Sequence, residues 1–354
     1  MSTAAAAPLK APRERWFRAD NIRWILLFNV IAEHMLTITG ITHNWLITVI
    51  VCWSRMITMP GFCFLSGYFS KKADKCYQSA FFDFLVPYLI MNSVFVLCWG
   101  TSSPNIFTPT FAYWYLVCMF FWKLLTKLLQ QVKFILPISI VLALAVGLCR
   151  DVGPFMSVSR VFGFLPYYVI GMQMSRDDVR RIENLPKIPV AVVTLGVMAL
   201  WGWLNVRGAF HIDFYYYWAS YSGTDSPLCM FSYGPLYGLA LRAAGYVVSA
   251  ILIVFLFVFV PNRSLPVIRD GGTRTMVPYL LHTFIIMFMG TVYRTVPALD
   301  RWYITLPIAL VMGVVVMQVL GLPILNDGYN KIIGFIKHLF LRDSAEPAKE
   351  KKTA

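Results

Sequence analysis

Apolar residues run along this chain in blocks of about 20, and a block of that length spans a ~30 Å hydrocarbon layer as an α-helix. Such blocks lie near residues 21–40, 45–69, 80–100, 111–130, 133–149, 156–175, 188–206, 233–260, 275–295 and 302–325. Lipid offers no partner for a backbone N–H or C=O, so each block is predicted to be helical. The expected fold is an all-α polytopic membrane protein, a bundle of about ten transmembrane helices. The blocks make one membrane domain over 21–325, after a basic segment at 1–20. A tail at 326–354 begins as a basic amphipathic stretch (Tyr329 to Arg342) and ends highly charged. No internal repeat and no second domain is legible.

Composition agrees. The chain has 354 residues, 58% hydrophobic and 14% charged, with a mean hydropathy of +0.64, against about 25% charged residues in soluble domains. A soluble globule, a disordered chain and a small disulfide scaffold are excluded. The net charge of +14 would suggest nucleic acid in a soluble protein, but here its distribution follows topology. Alternate connections hold Lys10, Arg13, Arg15, Arg18; Lys71, Lys72, Lys75; Lys123, Lys127, Lys133; Arg176, Arg180, Arg181, Lys187; Arg263, Arg269, Arg274; and Lys331, Lys337, Arg342, Lys349, Lys351, Lys352. The opposite connections hold Arg150, Arg207, Arg294 and Arg301. Both termini are thereby expected in the cytoplasm, with the protein in a plasma (inner) membrane or a eukaryotic endomembrane, and with no nucleic-acid partner. The basic N-terminus runs into the first block without a small-residue cleavage site, so that block is expected to remain as a helix. The cysteines form no CxxC pair and lie mostly in apolar runs, which implies no disulfide and no metal site.

Ionisable residues in hydrocarbon cost about 2.5–3.5 kcal/mol or more each and mark function by default. The first block carries Asp20, Arg23, Asn29, Glu33 and His34. At 1.5 Å per residue His34 lies ~16 Å above Arg23, and Arg55, entering from the other side at Trp45, reaches ~15 Å down to the same depth. Glu33, His34 and Arg55 therefore share one level. Glu33 and His34 point about 100° apart on an ideal helix, so Glu33 is expected to pair with Arg55 rather than with His34. Arg160 and Arg242 lie in the outer third of their blocks, where they face either a polar substrate or the outer headgroups. His282 reads as a packing residue. The outer segment near 207–232 carries Tyr215, Tyr216, Tyr217, Trp218 and Tyr221, either an interfacial aromatic belt or a stacking surface for a sugar ring.

These residues fall into ordered blocks. Asp20-Asn21-Ile22-Arg23 is followed after ten residues by His34; then come Met59-Pro60-Gly61-Phe62-Cys63-Phe64-Leu65-Ser66-Gly67-Tyr68, Trp114-Tyr115-Leu116, Phe164-Leu165-Pro166-Tyr167-Tyr168-Val169-Ile170-Gly171 and Tyr279-Leu280-Leu281-His282. In that combination the chain resembles the acyltransferase 3 family, integral-membrane O-acyltransferases that act on sugars and cell-envelope glycans. Thr58 stands where many relatives have a histidine, and Ala80-Phe81-Phe82-Asp83 where many have an arginine pair.

The resemblance implies transfer of an acyl group, most often acetyl from acetyl-CoA, to a hydroxyl of a glycan or lipid-linked acceptor. His34 is the expected general base, Arg55 the holder of the oxyanion and Glu33 its partner. Arg23 is expected at the phosphates and thioester end of CoA, with Lys71, Lys72 and Lys75, or Arg269 and Arg274, supplying the charge of the missing arginine pair. Arg160, Arg242, Tyr168 and Trp218 are the candidate acceptor contacts. A transporter or flippase of a polar substrate, or an inactive protein of the same fold, would use the same intramembrane residues; the homo-oligomeric state is left open.

Overall fold

The structure is a computed structural model that describes residues 15–40, 44–100, 105–149, 155–209, 212–218, 220–221, 234–296, 299 and 301–341. All ten blocks are helical, and no strand occurs among the described residues. The helices are α1 (Phe17–Ile38), α2 (Trp45–Phe69), α3 (Ala73–Ser79), α4 (Val86–Trp99), α5 (Trp114–Gln131), α6 (Ile135–Ala145), α7 (Val158–Gly163), α8 (Leu165–Gln173), α9 (Arg176–Glu183), α10 (Lys187–Val206), α11 (Gly234–Phe259), α12 (Met276–Thr295), α13 (Trp302–Leu320) and α14 (Pro323–Phe340). A π-helical stretch, Ala80–Leu85, fuses α3 to α4.

Seven helices among the described residues are long and apolar enough to cross a membrane: Trp45–Phe69, Ala73–Trp99, Phe111–Gln131, Lys187–Val206, Gly234–Phe259, Met276–Thr295 and Trp302–Leu320. The other three blocks differ in instructive ways. α1 has the length, but its charges lower its apolar character. Ile135–Leu148 is short, and the block near 156–175 bends by 52° between Phe155–Gly163 and Leu165–Gln173. That bend falls at Phe164, two residues before Pro166, whose missing N–H and fixed φ suit the first turn of a new helix. The last block also ends earlier than its composition suggests. It stops at Leu320, and Pro323 starts α14, an amphipathic helix whose Lys337 Nζ lies 2.9 Å from Asp83 Oδ1 in the π-helical stretch.

Local chemistry fixes the elements around the centre of the bundle. Asn44 caps α2, its side chain accepting from the N–H groups of Leu46 and Ile47. Pro60 sits inside α2 and removes one helical hydrogen bond just below the level of Arg55. Asn21 ties the start of α1 to the segment before α12, donating to the carbonyls of Pro261 and Arg263 at 2.9 Å each. Arg15 donates to Asp270 at 2.5 Å and holds its carboxyl below the ordinary carboxylate range.

The most extensive helix–helix contact is that of α2 with α8. A Cβ added at Gly67 would lie 1.9 Å from the Tyr168 carbonyl oxygen, and one at Gly171 would lie 2.0 Å from the Phe64 carbonyl oxygen. Two reciprocal glycines therefore let the backbones touch, the small-residue packing that membrane helices use in place of a hydrophobic driving force. Around this seam the core is aromatic, with Trp114 stacked on Phe164 and Trp122 on Tyr168.

Candidate active site

α1 and α2 bring the three mid-depth residues together. Arg55 Nε and Nη2 lie 2.9 and 2.7 Å from Glu33 Oε1, and His34 Nδ1 lies 3.1 Å from Glu33 Oε2. Glu33 thus pairs with both neighbours, where the direction of the Cβ vectors favours Arg55 alone. The carboxylate stands at the end of a side chain with three rotatable bonds, so it reaches sideways to the ring of the next residue while keeping the guanidinium. Glu33 and Arg55 are buried. Isolated charges in hydrocarbon would be costly, and here each ion has a partner. With Nδ1–H donated to the carboxylate, the lone pair of His34 is on Nε2.

The His34 ring is also held on its faces. Phe111 lies 4.8 Å away, centroid to centroid, and His282 stacks parallel at 5.7 Å with a 5° interplanar angle. Phe111 begins the 3-10 turn before α5 with φ 45°, a left-handed conformation a bulky residue adopts only under constraint. His282 is buried, and its Nδ1–H donates to the Tyr279 carbonyl at 2.6 Å.

Glu33, His34 and Arg55 line a cavity of about 50 Å³ together with Thr58, Trp114, Tyr215 and Tyr216. A second cavity of about 150 Å³ adjoins it, lined by Arg23, Ser66, Tyr115 and mostly apolar side chains. Val30, Met59 and Tyr279 are walls of both. Tyr279 donates to the Ala112 carbonyl, which fixes it in the partition. In the second cavity Ser66 Oγ and Tyr115 Oη are 2.8 Å apart, and the Arg23 guanidinium packs 4.2 Å over Phe69 and 3.4 Å from Asp20 Oδ1.

The other sequence candidates scatter. Arg160 stands behind the His34 cavity, donating from Nε to the Tyr216 carbonyl at 2.9 Å. Arg242 is fully buried between the rings of Tyr217 and Tyr221, at 4.9 and 4.6 Å, away from either cavity. Tyr168 is fully buried as well, its hydroxyl 2.9 Å from Thr126 Oγ1. Trp218 is half-buried and forms no wall of the two cavities. The Lys71 ammonium lies 4.4 Å over the Tyr68 ring; Lys72, Lys75 and Arg269 are exposed, and Arg274 lies 3.9 Å from Asp270. None of these five lines either cavity. The tyrosines near 215 form no exposed belt: Phe214, Tyr215, Tyr217 and Tyr221 are buried, and Tyr215 meets Cys52 Sγ at 2.6 Å. Among the described residues no group of three or more His, Cys, Asp or Glu is arranged to hold a metal ion.

Sequence reasoning did not single out Phe111, Tyr216 and Tyr279 individually. Tyr279 precedes a histidine by three residues, the spacing that puts both on one face of α12, and that was its available signal. Residues 16–325 match the family described as an acyltransferase domain, acyltransferase 3. No curated protein and no solved structure matches the chain.

Proposed function

Since the chain belongs to the acyltransferase 3 family, which makes it a membrane acyltransferase in general terms, we propose that it moves an acetyl group from cytoplasmic acetyl-CoA to a hydroxyl of a glycan or lipid-linked acceptor on the outer side. The observation that carries this reading is the Arg55–Glu33–His34 chain on the wall of a cavity, next to a second cavity headed by Arg23.

The chemistry follows from the tautomer. A hydroxyl is a weak nucleophile toward a thioester until its proton is taken, and His34 Nε2 is the base that takes it. The acceptor oxygen bonds to the thioester carbonyl carbon, the carbon–sulfur bond breaks, and the leaving CoA thiolate receives the proton from the His34 imidazolium. Glu33 stabilises that imidazolium through Nδ1, as the carboxylate does in hydrolase triads. Arg55 holds Glu33 and, from the same cavity, the negative charge that develops on the carbonyl oxygen, a contact worth roughly 3–4 kcal/mol in other enzymes. Arg23 holds the donor. Its guanidinium is the cation on the walls of the larger cavity, whose apolar lining suits the pantetheine arm.

The test is turnover. Purified protein in detergent is expected to release CoA from acetyl-CoA, slowly with water and faster with acceptor; no release at any acceptor concentration overturns acyl transfer in favour of transport or an inactive role. Arg23→Ala is expected to raise the KM for acetyl-CoA about tenfold with acceptor KM little changed. An equal rise for the acceptor would move Arg23 out of the donor site.

A ten-span topology with both termini in the cytoplasm belongs to the same proposal. In a cysteine-free background, single cysteines at Asn105 and Arg301 are expected to react with an impermeant thiol reagent from outside, and ones at Ala73 and Asp177 are not. Labelling in the reverse pattern rejects that orientation.

A further inference from the structure

Beside His34 a column of cations and rings alternates: Arg55, Tyr216, Arg160, Trp114. The Arg55 guanidinium carbon lies 4.3 Å over the Tyr216 ring, Arg160 Nε donates to the Tyr216 carbonyl at 2.9 Å, and the Arg160 guanidinium carbon lies 4.9 Å over the Trp114 ring. Arg55, Tyr216 and Trp114 are walls of the His34 cavity; Arg160 stands behind them. Phe164 backs Trp114 in a stack at 5.2 Å. Tyr216 is therefore held twice, by a cation on its ring and by a hydrogen bond to its backbone, and guanidinium–ring contacts gain strength away from water. This end of the cavity has little freedom to yield.

The space it closes is small. A 150 Å³ apolar cavity holds a molecule the size of benzene, and the larger cavity here has about that volume, while the one at His34 has about 50 Å³. Given acyl transfer as proposed above, with the thioester arriving from the Arg23 side, the carbon chain beyond the carbonyl has to fit in the smaller space together with the acceptor oxygen. We propose that Tyr216 is the residue that limits acyl length, that Arg160 is a positioning residue which keeps Tyr216 in place, and that the donors used are acyl-CoAs with acyl groups of two or three carbons. A pocket already filled refuses each added methylene by roughly 10–200-fold.

The experiment measures CoA release by the full-length protein in detergent with acetyl-, butyryl- and hexanoyl-CoA. For the wild type, the butyryl rate is expected at or below about one tenth of the acetyl rate. Tyr216→Ala is expected to raise the butyryl-to-acetyl ratio about tenfold or more, Tyr216→Leu less, and Arg160→Gln about threefold by loosening the same wall. A ratio is read within one preparation, so a variant that merely folds poorly does not move it. If Tyr216→Ala yields no active protein, Tyr216→Leu and Arg160→Gln decide the matter by the same ratio. Unchanged ratios in the active variants overturn the proposal, as does a wild type that uses hexanoyl-CoA as readily as acetyl-CoA. A wild type that consumes no acyl-CoA of any length overturns acyl transfer itself, a result distinct from an unchanged ratio.

Discussion

Replacing His34 with glutamine is expected to lower kcat about 10²–10⁴-fold, the range a well-placed general base contributes. Glutamine keeps a polar group of similar reach beside Glu33, so the buried Glu33–Arg55 pair (2.7 Å) retains its geometry and the helices keep their contacts. Lost is the proton acceptor at Nε2. The donor KM is expected to change little, since Arg23 and the larger cavity are untouched. Parallel kinetics and thermal unfolding of wild type and variant check this: a rate within threefold of wild type at equal expression removes His34 from the chemistry. Glu33→Gln makes the companion measurement. It keeps volume but lowers the charge that stabilises the imidazolium, so the loss should fall between wild type and His34→Gln.

Gly67→Ala is expected to cost more stability than any surface change in the chain, about 4 kcal/mol or more, the range where a specific steric mechanism is required. The added methyl would sit 1.9 Å from the Tyr168 carbonyl oxygen, a backbone atom that cannot rotate away, so α2 and α8 have to separate. Separation would open the seam under the Trp122–Tyr168 stack and shift α2, which carries Arg55 and Met59. Gly171→Ala meets the Phe64 carbonyl at 2.0 Å and should behave alike. Gly196→Ala in α10 is the control, because a Cβ there meets nothing within 4 Å and alanine is the better helix former. Detergent-solubilised yield and melting temperature report the difference; a Gly67→Ala protein as stable as Gly196→Ala would mean that the α2–α8 approach is looser than described.

Much of the bundle was legible in the sequence because the membrane imposes one length and one backbone solution on every apolar block. The meeting of Glu33, His34 and Arg55 was legible for a related reason. Helical rise converts position into depth whatever the packing, so two helices entering from opposite sides can be compared residue by residue. Lateral position has no such ruler. Which of Arg160, Arg242, Tyr168 and Trp218 approaches the site depends on helix rotation and crossing, and the structure puts Arg242 and Tyr168 inside sealed aromatic packing. Phe111, which packs on His34, sits at a left-handed φ, which no apolar pattern announces. The break at Phe164 was hidden because both halves of the block are apolar and periodicity does not register a bend. The glycines of the two motif blocks, by contrast, acquire a reason: Gly67 and Gly171 are where α2 and α8 touch.

The partition of Val30, Met59 and Tyr279 has a bearing on the cell as well as on the reaction. If the acyl group passes from a cytoplasmic donor to an external acceptor, as proposed above, the protein must open some path through its membrane, and a permanently open one would let protons and small ions run down their gradients. Here the space beside Arg23 and the space beside His34 are separate cavities with a common wall, and that wall is a valine, the thioether chain of a methionine and a phenol whose hydroxyl is already engaged with the Ala112 carbonyl. Apolar constrictions of this kind repel water and with it the ions that need water to move. Under the transfer proposed above, this wall would insulate the molecule between turnovers, and the substrate arm itself would fill the passage during one.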